Sequence, residues 1–148
     1  MDFAKLDALL ENSREDMIRT LRGWIAIPSV SARSDAAGAP FGAECRRALD
    51  LALADAKAMG FSVRDFDGYA GDITLEAGEK TLGMLCHLDV VPAGDGWTKQ
   101  PFGGEIEAGK IYGRGTMDDK GPAVAALYAM KAVRDVGIPL KDSVRLIL

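Results

Sequence analysis

At 148 residues, with 48% apolar and 27% charged side chains, the chain has the length and composition of one soluble domain with a substantial core. A formal charge of −4 with no basic stripe argues against a nucleic-acid partner. No run approaches the roughly 18 apolar residues of a membrane span, no basic start leads into an apolar stretch, and two cysteines are too few for a disulfide framework; the expected setting is the reducing cytoplasm.

Phe3, Leu6, Leu9, Leu10, Met17, Ile18, Leu21 and Ile25 recur at helical spacing and predict one amphipathic helix of about twenty residues, capped by Asp2 and closed by Pro28. A polar loop over residues 29–40 follows. Cys45, Leu49, Ala52, Leu53, Ala56 and Met59 predict a second helix, with Gly60 where a C-terminal cap glycine belongs. From Phe61 the period becomes two. Residues 61–66 read as a strand, 72–77 as its neighbour, and the apolar run 81–86 as a buried parallel strand.

A long connection rich in Gly, Pro and Asp then holds a small hairpin around Glu105-Ile106-Glu107 and Lys110-Ile111-Tyr112. Pro122 starts a third helix at its favoured first position. Ala125, Tyr128, Ala132 and Val136 mark its buried face, and Gly137 with Pro139 ends it. Residues 143–148 form a last apolar strand. Because the chain stops inside that strand, a protein continuing past Leu148 is expected. Strand, loop, helix, strand is a βαβ unit with parallel strands, and open sheets of this kind bind ligands beyond the carboxyl ends of their strands.

His87, the sole histidine, falls directly after such a strand, and Asp89 follows two positions on. Asp118 and Asp119 precede the third helix, so both motifs map to one edge of the sheet. An imidazole and a carboxylate that bind, with a nearer carboxylate orienting the ring, is how a metal site is built. His87 and Asp118 are therefore the metal-ligand candidates, Asp89 is the ring-orienting residue, and Asp119 is assigned to capping the helix. Cys86 is read as a small buried apolar residue, Trp97 and Phe102 as loop anchors, and Lys120 and Arg114 as solvated or internally paired. A lone histidine at a strand end is commonly structural; the carboxylates gathered around this one favour a site. Catalytic zinc takes three protein ligands, so two donors make a half-built site whose other ligands lie beyond Leu148. Competing motifs fail on spacing. Gly113-Arg114-Gly115 lacks the third glycine of a dinucleotide fingerprint, and Lys120 is followed by Gly121, which excludes a P-loop.

The series His87-Leu88-Asp89-Val90-Val91-Pro92, Gly96-Trp97, Pro101-Phe102, Ile111-Tyr112-Gly113-Arg114-Gly115-Thr116 and Asp118-Asp119-Lys120-Gly121 resembles the co-catalytic zinc exopeptidase and deacylase family. That family includes aminoacylase, acetylornithine deacetylase, succinyl-diaminopimelate desuccinylase, glutamate carboxypeptidase and bacterial dipeptidases. The stretch from Val90 to Trp97 with Asp118 to Pro122 is most similar to the dipeptidase branch of the PepV/Sapep type. Many deacylases carry methionine where this chain has Asp119.

The resemblance implies that His87 binds one zinc, that Asp118 bridges two, and that Asp89 orients His87 and supports catalysis. It also implies a cis peptide between Asp118 and Asp119. The implied fold class is α/β: part of a three-layer catalytic domain, with a mixed sheet flanked by helices. Residues 1–148 would be its N-terminal part, the remaining ligands, the glutamate base and an inserted lid domain following later. The implied function of the full-length protein is metal-dependent hydrolysis of the peptide bond of a dipeptide or short amide, with two Zn2+ ions per active site. Mn2+ or Co2+ suit the same ligands. The 148-residue chain alone is expected to be inactive, and its oligomeric state is left open. The alternatives are an amino-acid deacylase of the same family and a non-catalytic binding module that keeps the fold.

Overall fold

A computed structural model describes residues 3–148. Asp2, expected to cap the first helix, lies outside them. Helices α1 (Phe3–Asn12) and α2 (Arg14–Ile25) replace the single predicted helix. The break falls at Ser13, whose hydroxyl donates to the Leu9 carbonyl at 2.8 Å. Serine competes for backbone partners in this way, and the apolar periodicity runs straight across the break without registering it. Helix α3 (Ala43–Ala58) is followed by β1 (Ser62–Asp65), β2 (Gly71–Leu75), β3 (Thr81–Leu85), the hairpin β4 (Glu105–Glu107) and β5 (Lys110–Tyr112), helix α4 (Lys120–Val136) and β6 (Ser143–Ile147). No helix among the described residues is long and apolar enough to cross a membrane.

Four strands form a mixed sheet in the order β1-β2-β6-β3. β1 with β2 and β2 with β6 are antiparallel; β3 with β6 is parallel, as the βαβ reading requires. Ile73 and Leu146 are register partners, both fully buried, on the sheet face that meets the helices. One core joins that face to Trp24 of α2, Leu49, Ala52 and Leu53 of α3, and Val124 and Leu127 of α4.

Two expectations need correction. Among the described residues β3 pairs with β6 alone, and with Leu82 and Leu85 61% and 80% exposed it is not a buried strand within this chain. An apolar run reports what a strand can bury, whereas its place in the sheet depends on distant pairing. Helix α4 begins two residues before Pro122, which takes its third position, where a missing N–H is still one of the unpaired first four. Its buried residues are Lys120, Ala123, Val124, Leu127, Tyr128, Met130 and Ala132; Tyr128 and Ala132 are buried as expected, whereas Ala125 is exposed.

Trp24 anchors the core, with its indole N–H donating to Asp55 Oδ2 at 2.7 Å. Trp24→Phe is expected to lower unfolding stability by about 2 kcal/mol, from lost packing and an orphaned carboxylate. Urea denaturation monitored by far-UV circular dichroism checks this.

Candidate metal site

β3 delivers His87. The Cys86 amide still pairs with the Ile147 carbonyl at 2.9 Å, and the chain then leaves the sheet. The imidazole is held on both sides: Nδ1 lies 3.0 Å from the Asp89 main-chain oxygen and 3.2 Å from Asp89 Oδ1. Nε2 faces Asp118 Oδ1 at 2.9 Å. The His87 amide donates to Asp119 Oδ2 at 3.2 Å, tying the two motifs together through main chain as well. The Asp118–Asp119 peptide is cis.

With Nδ1–H given to Asp89, a neutral ring offers only a lone pair at Nε2, and Asp118 Oδ1 is also an acceptor. Two acceptors 2.9 Å apart need a proton or a cation between them. Partial burial pushes the His87 pKa down, but Asp118 and Asp89 outweigh it and hold it above the ordinary value, so a proton can fill this role. The donor set, an imidazole nitrogen with carboxylate oxygens, is also what zinc, manganese or cobalt accepts. Among the described residues, no group of three or more His, Cys, Asp or Glu side chains is placed to hold a metal. The chemistry fits a divalent cation; the number of donors is that of a half-site.

Asp119 departs from its expected part. It occupies the N-cap position of α4 but makes no side-chain cap hydrogen bond, because its carboxylate is turned to the His87 amide. Cys86 packs against the core, and burial, then Asp119, push its thiol up to about 11, so the thiolate is disfavoured at neutral pH. Trp97 is a loop anchor as read: its N–H donates to the Ala93 carbonyl at 2.8 Å, and the Arg114 guanidinium stacks 5.2 Å from its ring centre. Phe102 is half-buried. Beside His87 and Asp89 opens a cavity of about 220 Å³ whose lining includes Phe41, Cys45, Leu49 and Tyr69.

The glycines around Asp118 are there for close packing. A Cβ on Gly121 would sit 2.0 Å from the Thr116 carbonyl oxygen, and one on Gly113 2.7 Å from Ile25 Cγ2. Gly115 has φ +88° and backs directly on Lys120.

Lys120 is internally paired and 0% exposed. Its ammonium donates to the carbonyls of Trp24 at 2.9 Å and Ile27 at 2.7 Å. Burial draws its pKa from 10.5 down to about 8, partly opposed by Cys45 and Asp89. Below pH 8 both folded and unfolded chains carry the proton, and the cost of burying it is constant. Between about 8 and 10.5 the unfolded chain binds more protons, so stability rises with pH. The neutral amine keeps two N–H donors for the two carbonyls. The unfolding free energy of the wild type, minus that of Lys120→Met, is expected to climb by up to about 3 kcal/mol from pH 7.5 to 10.5. Urea titrations of both proteins across that range test it; a flat difference contradicts it.

Residues 83–148 match the model of peptidase family M20/M25/M40. "Putative dipeptidase YtjP" of Bacillus subtilis (strain 168) is 45% identical over 136 residues, covering 91% of this chain and 29% of that protein. A protein with the same dipeptidase description from Staphylococcus epidermidis is 44% identical over 133 residues, covering 89% of this chain and 28% of its own length. The chain thus spans under a third of the curated relatives it matches.

Among solved structures, human carnosine dipeptidase 1 superposes with TM-score 0.82 at 28% identity, over 97% of this chain and 33% of its own. An M20 family metallo-carboxypeptidase from Sulfolobus solfataricus gives TM-score 0.71 at 26% identity, over 88% of this chain and 30% of its own. The dipeptidase Dug1p of Saccharomyces cerevisiae, 18% identical with TM-score 0.83 over 99% of this chain and 34% of its own, shares the fold. The match to peptidase family M20/M25/M40 thus rests on residues 83–148, the stretch that holds both His87 and Asp118.

Proposed function

We propose that this chain carries the first half of the metal site of a zinc-dependent dipeptidase, whose full-length form hydrolyses the peptide bond of dipeptides in the cytoplasm. The observation that carries the proposal is the meeting of His87 Nε2 and Asp118 Oδ1 at 2.9 Å, with Nδ1 held by Asp89. His87 and Asp118 would hold the metal. A bound zinc ion supplies Lewis acidity toward the scissile carbonyl. Asp89 accepts the Nδ1 proton, fixes the tautomer and keeps the Nε2 lone pair aimed at the site. The adjoining cavity, apolar on the Phe41 and Tyr69 side, suits a short substrate held close to His87. Mn2+ or Co2+ fit the same donors.

The 148 residues alone are proposed to be inactive, since the proposed site gathers two donors where catalytic zinc takes three protein ligands. The test is an assay of the full-length protein against dipeptides and against N-acylated amino acids, before and after chelation. Dipeptide hydrolysis lost on chelation and restored by zinc is expected. Turnover of acylated amino acids without dipeptides would transfer the assignment to a deacylase.

A further inference from the structure

Ser29, Asp72 and Lys120 are the buried polar or charged residues among those described. Ser29 and Lys120 meet at one short segment. α2 ends at Ile25, and the Trp24 and Ile27 carbonyls at its exit receive the Lys120 ammonium, a cation placed where a helix C-terminus favours one. Lys120 directly follows Asp119, so fixing its head group fixes the Asp118-Asp119 turn. The Ile27 carbonyl also accepts the Ser29 amide at 2.9 Å. Ser29 in turn holds the other half of the site: its hydroxyl donates to the Leu88 carbonyl at 2.6 Å, and its carbonyl accepts the Val90 amide at 2.9 Å. Leu88 and Val90 flank Asp89. A single peptide, that of Ile27, therefore connects both arms. Gly115 completes the joint, since a Cβ there would lie 3.1 Å from both Lys120 Cδ and Val90 Cγ1.

We propose that residues 24–30 form a brace that sets the separation of His87 and Asp118, with Ser29 and Lys120 as its positioning residues. The His87–Asp118 pair is half-exposed on one side and 86% exposed on the other, and an exposed pair holds its own geometry weakly. The buried hydrogen bonds beneath it, two of them from an ammonium, are the stronger constraint. This inference rests on the proposed role of His87 and Asp118 as metal ligands.

His87 is the only histidine, so its ring ¹⁵N signals can be read without ambiguity. The test records long-range ¹H–¹⁵N spectra of the metal-free 148-residue chain, and zinc calorimetry, for wild type, Ser29→Ala, Lys120→Met and the remote core variant Ile73→Val. All are measured where circular dichroism shows them folded. Ser29→Ala and Lys120→Met are expected to move the ring signals toward tautomer averaging and to weaken zinc binding roughly 10- to 100-fold. Ile73→Val should lower the melting temperature and leave both readouts alone. Ring signals and zinc affinity at wild-type values in Ser29→Ala, with only the melting temperature lowered, would overturn the brace; this variant decides alone if Lys120→Met does not fold. If His87→Ala binds zinc as tightly as wild type, the metal assignment fails, and the metal-free ring signals still decide the brace.

Discussion

His87→Ala in the full-length protein is expected to reduce kcat/KM for dipeptide hydrolysis by about a thousandfold or more, some 4 kcal/mol of transition-state stabilisation. In the proposed site the imidazole is one of the two metal donors, facing Asp118 at 2.9 Å, and alanine removes it without a substitute. Asp89→Asn should cost less, about 10- to 100-fold, as outer-shell changes do. The reason is specific: the Asp89 main-chain oxygen, 3.0 Å from Nδ1, survives the substitution, and only the Oδ1 contact at 3.2 Å is altered. Steady-state kinetics on both variants, with metal content measured in parallel, separates the effects. Equal losses for the two would show that Asp89 does more than orient the ring.

Gly121→Ala is expected to destabilise the fold by about 3 kcal/mol or more. The added Cβ would meet the Thr116 carbonyl oxygen at 2.0 Å, with the carbonyl carbon behind it at 3.1 Å. Both are backbone atoms in the turn that leads to Asp118, so relief requires moving that turn. Zinc affinity should therefore fall together with stability. Gly83→Ala is the matched control, because a Cβ there meets nothing within 4 Å and the backbone φ is not positive. Its effect should stay within about 0.5 kcal/mol. Urea denaturation of the two variants gives the comparison directly.

Much of the fold can be read from residue pattern, because period and chain breakers are local quantities. Helix α3, the β1–β2 pair, the small hairpin and the parallel β3–β6 pair all follow from it. The placing of His87 and Asp118 at one sheet edge follows from the βαβ connection, which leaves few alternatives. What pattern does not carry is the identity of distant partners. Ser13 fits a helix interior by spacing, and the hydroxyl bond it makes to the Leu9 carbonyl at the break leaves no trace in that pattern. Leu82 and Leu85 look like core residues, and only the strand order puts them at an edge. Pro122 is such a strong start signal that it hides the true beginning of α4 at Lys120. Lys120 is the hardest case: lysine is rarely buried, and nothing near it in sequence announces the Trp24 and Ile27 carbonyls, more than ninety residues away.

The chain has two tryptophans, and they occupy different regions. Trp24 is sealed in the core, whereas Trp97 stands half-buried in the loop after His87, beneath the Arg114 guanidinium. Their emission should differ in colour and in accessibility to iodide, with the core indole blue-shifted and poorly quenched. The 148-residue chain without the Trp24 indole would fluoresce from Trp97 alone. Any rearrangement of the 93–97 loop on ligand binding would then be visible optically, with no label attached.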